Sequence, residues 1–259
     1  MKKPALWDNI RIAACLSLVA VLLGQFTSIS TVQAKGTMQT TPPPETVTIP
    51  GTLQSKLGCP GDWQPDCEKT FLTYDPTNDV WRGEFVLPAG SYEYKVALNK
   101  TWGDNYGLKA TRNGPNIPLN VTTPGPVRFY YDHKTHWVTD SINSVIATAD
   151  GNFQSKLGCV REDDPACLRS WLQDPEGTGI YSFTTRAIPA GTYEVRVAIN
   201  EDPNEVYSPD GTRGGPPASF TVAQDGAEVY FGYTQPATSS WSARKARLEV
   251  PFRSSRLIG

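Results

Sequence analysis

Histidine is nearly absent from this chain of 259 residues: only His133 and His136 occur, three apart in one short stretch. A Ser-His-Asp or Cys-His arrangement needs a histidine in each site, so no chemistry stated twice along the chain runs through imidazole. Basic residues are not in excess either, with 24 Lys plus Arg against 26 Asp plus Glu, and nucleic acid binding needs a concentrated basic surface. Long apolar runs are also missing. The strongest, Ile12 to Gly24, has 13 residues, short of the roughly 20 that span a bilayer. No segment shows the sustained helical periodicity of a long amphipathic helix.

What is present begins with Lys2, Lys3 and Arg11 ahead of that apolar run, and Val32-Gln33-Ala34 after it, the small-residue pattern that a signal peptidase reads. Residues 1–34 read as a secretory signal and residues 35–45, KGTMQTTPPPE, as a Pro/Thr-rich linker with nothing to bury. Loss of the signal leaves 21 basic and 25 acidic residues, a net charge of −4. The mature chain is therefore expected outside the cell or in a periplasm, with no nucleic acid partner and no membrane anchor. It keeps four cysteines, Cys59, Cys67, Cys159 and Cys167, in two pairs of identical spacing. An even count in an exported chain reads as disulfides, and the repetition pairs Cys59 with Cys67 and Cys159 with Cys167. Zinc would want two further ligands for each pair, and the second copy has no other Cys or His.

The repetition extends well beyond the cysteines. Gly51 to Cys59, GTLQSKLGC, returns as Gly151 to Cys159, GNFQSKLGC; Leu87 to Gly107, LPAGSYEYKVALNKTWGDNYG, returns as Ile188 to Ser208, IPAGTYEVRVAINEDPNEVYS. In the first copy Tyr92, Tyr94, Val96 and Leu98 alternate with Glu93, Lys95, Ala97 and Asn99, the period of two that buries one face of a strand. Lys95, Ala97 and Asn99 are expected on the outward face, with small Ala97 leaving room between the other two. Strands are expected around Thr46–Ile49, Val80–Leu87, Ser91–Asn99, Ile117–Val121 and Val127–Asp132, and again 100 to 102 residues later. Leu53–Leu57 and Cys67–Leu72 read as short helical turns under the disulfide. Many short strands between Gly/Pro turns indicate an all-β protein of two tandem sandwich domains, residues 46–142 and 143–242, followed by a basic tail, 243–259.

His133 and His136 lie where the copies meet and are expected to hydrogen bond at that junction, because a metal site would need more ligands than Asp132 and Asp140 add. Asp174 to Gly179, DPEGTG, reads as a Gly-rich hairpin turn in preference to a calcium loop, being too short and too poor in carboxylates. No catalytic constellation stands out from ordinary surface charge, so no enzyme activity, cofactor or metal is expected. A binding surface remains. Trp63 and Trp102 sit in polar loops, CPGDWQPDC and NKTWGDNYG, where a large apolar ring needs a reason. Indole faces stack on pyranose CH faces while a neighbouring Lys or Asn bonds the hydroxyls. The plain alternative is that both rings cover a small core.

These strings, GxxQSxLGC with DWxPDC, PAGSYEYKVALN, WxxNYG and FYYDxKTHWVTD, resemble the tandem pullulanase-associated modules of secreted bacterial starch-debranching enzymes, over residues 46 to about 242. The resemblance implies immunoglobulin-like β-sandwiches and affinity for an α-glucan such as starch, pullulan or maltodextrin, with a glycoside hydrolase as companion. It places the sugar on Trp63, Trp102 and Lys95, with Asn99, Asn105 and Tyr106 beside them. The second copy has Asp163 and Pro203 where the first has its tryptophans, so it is expected to offer no stacking platform. A spacer without sugar affinity, or the truncated front of a pullulanase, are the alternatives.

Overall fold

Alternating side chains between tight turns give strands throughout, as the pattern requires. The computed structural model of the protein describes residues 42–235 and Leu248–Glu249. The expected signal, most of the linker and most of the tail lie outside them. Among the described residues there is no α-helix, only short 3-10 turns, and none is long and apolar enough to cross a membrane.

The first repeat consists of β1 (Val47–Thr48), β2 (Phe71–Asp75), β3 (Val80–Leu87), β4 (Gly90–Tyr94), β5 (Val96–Leu98), β6 (Asn105–Tyr106), β7 (Ile117–Val121), β8 (Gly125–Tyr131) and β9 (Val138–Asp140). The order β6-β5-β1-β2 forms one side, extended by the β4–β7 pair, and β3-β8-β9 the other. β2 joins the two: Phe71 and Leu72 pair with β1, whereas Thr73 to Asp75 pair with β3. The enclosed core includes Val47, Leu53, Leu87, Tyr94, Leu119 and Phe129, each at most 1% exposed. This is an immunoglobulin-like sandwich, antiparallel throughout.

The second repeat restates it as β10 (Ala147–Gly151), β11 (Trp171–Leu172), β12 (Ile180–Thr185), β13 (Gly191–Ile199), β14 (Val206–Tyr207), β15 (Ala218–Val222) and β16 (Val229–Thr234). β13 runs unbroken where the first repeat divides into β4 and β5 at Lys95. A further strand, β17 (Leu248–Glu249), pairs with β16 and falls within the segment read as a tail. The turns under the disulfides are 3-10, at Gln54–Leu57 and Glu68–Thr70, but Phe71 and Leu72 belong to β2 and not to a turn. Short β6 and β9 were not legible in the pattern.

One expectation fails on packing. Ala97 is fully buried, as is its counterpart Ala198, so the face read as outward is covered at this position, within a strand paired on both edges by β1 and β6.

The two repeats fall within one compact unit, and their junction is built of more than the connecting chain. Val80, Tyr130 and Trp137 of the first repeat pack into the hydrophobic core of the second, with the Trp137 and Trp171 rings 4.8 Å apart. Glu201, from the loop after β13, accepts hydrogen bonds from Tyr130 Oη at 2.7 Å and Arg82 Nη1 at 3.0 Å. Leu168 N donates to Asn78 Oδ1, and Gln173 Nε2 donates to Asp132 Oδ2. Within the first repeat, His136 stacks on Tyr106 at 4.0 Å with its Nδ1 2.9 Å from Tyr131 Oη, and His133 Nε2 is 3.6 Å from Asp79. At the start of the connector, buried Asp140 accepts from Tyr94 Oη and from the backbone of Ile142 and Asn143.

Glu201 is 11% exposed while its arginine partners are nearly half exposed, so truncation leaves Tyr130 unpaired but the cations partly solvated. Glu201→Ala is expected to cost about 1–3 kcal/mol, measured as a lowered urea midpoint; an unchanged midpoint would show that the inter-repeat bonds contribute nothing net.

Candidate functional site

The disulfide loop of the first repeat is organised by one buried amide. Gln54, fully buried, donates from Nε2 to Gln64 O and Thr70 Oγ1, both at 2.8 Å, and accepts from Gln64 N at 2.7 Å through Oε1. Cys59 and Cys67 are bonded across the same loop, with Cα atoms 6.0 Å apart. Gly51 completes the frame. A Cβ there would lie 2.2 Å from Glu93 O, so only glycine lets the chain pass this close to β4, and its own carbonyl faces the Trp63 N–H at 3.5 Å. Trp63 adopts φ 60°, a left-handed conformation costly for a bulky residue, and the loop's fixed ends hold it there.

Trp102 stands on the neighbouring loop, 40% exposed. Its backbone is pinned by Asn105, whose Nδ2 donates to Trp102 O at 2.9 Å and to Asn113 Oδ1 at 2.7 Å. Arg112 bonds Asp104 and the Gly103 carbonyl on the same turn. The two indoles face each other at 6.4 Å between centroids, tilted by 41°. Lys95 is half-buried at the break between β4 and β5, its Nζ 3.5 Å from Asn105 Oδ1. Four of the six expected residues therefore fall together: Trp63 and Trp102 as two ring faces, Lys95 as a donor, and Asn105 as the buried post beneath Trp102.

Asn99 and Tyr106 go elsewhere. Asn99 Oδ1 accepts from the backbone of Glu45 and Thr46, and Asn200 caps Ile146 in the same way in the second repeat. Tyr106 is buried under His136. Both line a cleft of ≈ 490 Å³ with Pro44, Asp104, Tyr131 and His136, in which Trp63, Trp102 and Lys95 take no part. Strand alternation placed Asn99 on the Lys95 face, but its positive φ of 54° ends the strand and turns it aside. Gln54, Arg112 and Asn113 were missed; the repeated QSKLG and the Arg112/Arg213 correspondence were the available signals.

The second repeat keeps this frame and changes its contents. Gln154 bonds Asp164 and Ser170, Cys159 is bonded to Cys167, and Asp163 occupies the left-handed position of Trp63 with φ 49°. Arg196 replaces Lys95 and reaches Asp150 at 3.3 Å and Asp163 at 3.5 Å. The Asp174 turn is closed by its own carboxylate, which accepts from the backbone of Thr178 and Gly179.

A family model described as the pullulanase X25 domain matches residues 46–138 and again 146–240. The chain belongs to the pullulanase X25 domain family. It carries two X25 modules in tandem, and the match is to this accessory module of pullulanases, with no catalytic barrel among the described residues. It is 32% identical over 133 residues to an amylopullulanase of Thermoanaerobacterium thermosulfurigenes, covering 46% of this chain and 7% of that protein. To an amylopullulanase of Thermoanaerobacter thermohydrosulfuricus it is 33% identical over 133 residues, covering 46% and 9%. The chain thus spans under a tenth of these curated relatives. Among solved structures, a pullulanase from Bacillus acidopullulyticus aligns over 80% of this chain and 28% of its own at 16% identity and TM-score 0.35. SusF from Bacteroides thetaiotaomicron aligns over 82% and 50% at 13% identity and TM-score 0.26. Two disulfides in the X25 modules suit an oxidising compartment.

One carboxylate in the second module has a titration of its own. Burial, only partly offset by Arg196 and reinforced by Asp163 and Asp164, pushes Asp150 up to about 6. A carboxyl raised on folding binds its proton more tightly in the native state, so stability is fullest below the unfolded value and falls as pH rises from about 4 to 6. Asp75 and Asp79 act outside that window. Their burial is outweighed by hydrogen bonds, from Asn78 to the first and from Tyr74 and Lys134 to the second, so their contribution is lost only as pH falls below the usual carboxylate range. Asp150→Asn is therefore expected to gain about 2–3 kcal/mol over the parent between pH 4 and 7. Urea unfolding at both pH values checks this; parallel pH profiles would contradict it.

Proposed function

We propose that this chain is an exported, non-catalytic α-glucan-binding protein or accessory module of a starch-debranching enzyme, divided into modules at 46–142 and 143–242, and that its first module holds the sugar. The observation that carries the reading is the Trp63–Trp102 pair: two indoles on adjacent, internally braced loops, Trp102 exposed and Trp63 half-buried, 6.4 Å apart and tilted by 41°. Rings set at an angle suit successive residues of a curved α-linked glucan, each stacking its CH face on one indole, with Lys95 donating to a hydroxyl. The amylopullulanase relatives favour starch, pullulan or maltodextrin over other polymers, and a glycoside hydrolase is the natural companion.

Pre-ordered loops reduce the entropy lost on binding, but one exposed and one half-buried platform form a small site, and a Kd of roughly 10 µM to 1 mM is expected. A rigid spacer is the second reading, favoured by the extensive contacts between repeats. Sugar binding and a spacer role separate cleanly in solution. Calorimetry of the full chain with maltoheptaose should show Trp63→Ala and Trp102→Ala each weakening binding by about 1–3 kcal/mol, and Lys95→Ala by less, since its hydroxyl contact competes with water. Affinity unchanged in both tryptophan variants, with the fold intact, would leave only the spacer.

A further inference from the structure

At the place in the second module that corresponds to the tryptophan pair lies an open cleft of ≈ 670 Å³, lined by Asp150, Asp163, Arg196, Pro203, Asn204 and Arg213 among others. That volume is within the range of small-molecule sites, roughly 300–1,000 Å³. The change from the first module is concerted: Pro50 becomes Asp150, Trp63 becomes Asp163, Lys95 becomes Arg196 and Trp102 becomes Pro203. Simple loss of a site would not demand a carboxylate in the wall, yet Asp150 is 1% exposed and neither of its oxygens has a hydrogen-bond partner. Arg196 Nη2 approaches Oδ2 at 3.3 Å, and Oδ1 is buried with no hydrogen-bond partner.

We propose that this cleft binds a neutral saccharide by its hydroxyls, with Asp150 and Asp163 accepting and Arg196 donating. Other charges around the cleft are already paired: Arg161 with Asp164 at 3.0 Å and Arg213 with Glu205 at 2.8 Å. Its lining holds three arginines, at 161, 196 and 213, and three acids, at 150, 162 and 163, so neither a cation nor an anion is selected by net field. Adjacent sugar hydroxyls can each donate to a carboxylate and accept from a guanidinium, which meets the unpartnered Oδ1 without adding charge. Burial already makes the Asp150 carboxylate costly, and a donor from the ligand relieves that cost. The mode differs from that of the first module, reading hydroxyl positions in place of ring faces, and it does not depend on the first module's site.

The test uses the full chain carrying Trp63→Ala and Trp102→Ala, which removes both platforms, with glucose, mannose and maltotriose as probes and the arginine Nε–H resonances as readout. A saturable shift of the Arg196 signal is expected with at least one sugar, weakened roughly tenfold or more by Asp150→Asn and also by Asp163→Ala, a substitution at an exposed position that leaves the core untouched. The proposal is overturned if no sugar moves the Arg196 signal, if neither added substitution weakens the response, or if inorganic phosphate saturates the cleft and the sugars do not. Failure here leaves the tryptophan site standing, because that site is read from the parent chain's affinity and its loss in the tryptophan variants.

Discussion

A single buried side-chain amide fixes most of what matters in each repeat. Gln54 satisfies a backbone N–H and a backbone carbonyl of the disulfide loop together with the Thr70 hydroxyl, so an irregular stretch can lie against the sheet without orphaned polar groups. Replacing it by an apolar side chain would strand those partners, each at about 1–3 kcal/mol. The short disulfide constrains the unfolded loop, roughly 2–3 kcal/mol by chain entropy, but it is the amide that specifies the folded path. Given that path, and the close passage at Gly51, the residue at position 63 has to project with a left-handed backbone. The fold thus presents whatever side chain stands there, and the two repeats use the same presentation for Trp63 and Asp163.

The repeats are also less independent than two beads on a linker. Trp137 and Tyr130 enter the core of the second module, and Glu201 returns to bond with the first. Orientation between the modules is held by apolar packing first and by polar contacts around it, which is the arrangement expected when burial supplies most of the energy and hydrogen bonds the specificity. A tandem so joined presents its two clefts on one body.

Much of this was legible in the sequence because duplication acts as an internal control. The period-two alternation in both copies located the long strands, and cysteine spacing located both disulfides. What escaped was whatever depends on contacts distant in sequence. Ala97 looks outward by alternation yet is fully buried. Asn99 and Tyr106 are neighbours of Trp102 along the chain, but a left-handed residue and a stack on His136 carry them into another cleft. Asp150 drew no reading from its place beside Gly151, and it is buried against an arginine from β13. Conversely, the two loop tryptophans were identified by being out of place among polar residues, and the fold brings them together.

The central claim is that the first module engages α-glucan chains through those rings, and native gel electrophoresis of the full chain tests it most directly, with soluble starch, pullulan or dextran cast into otherwise identical gels. Retardation by starch and pullulan, with unaltered migration in dextran, is the predicted result. Equal migration in all gels, or retardation by dextran alone, would contradict it.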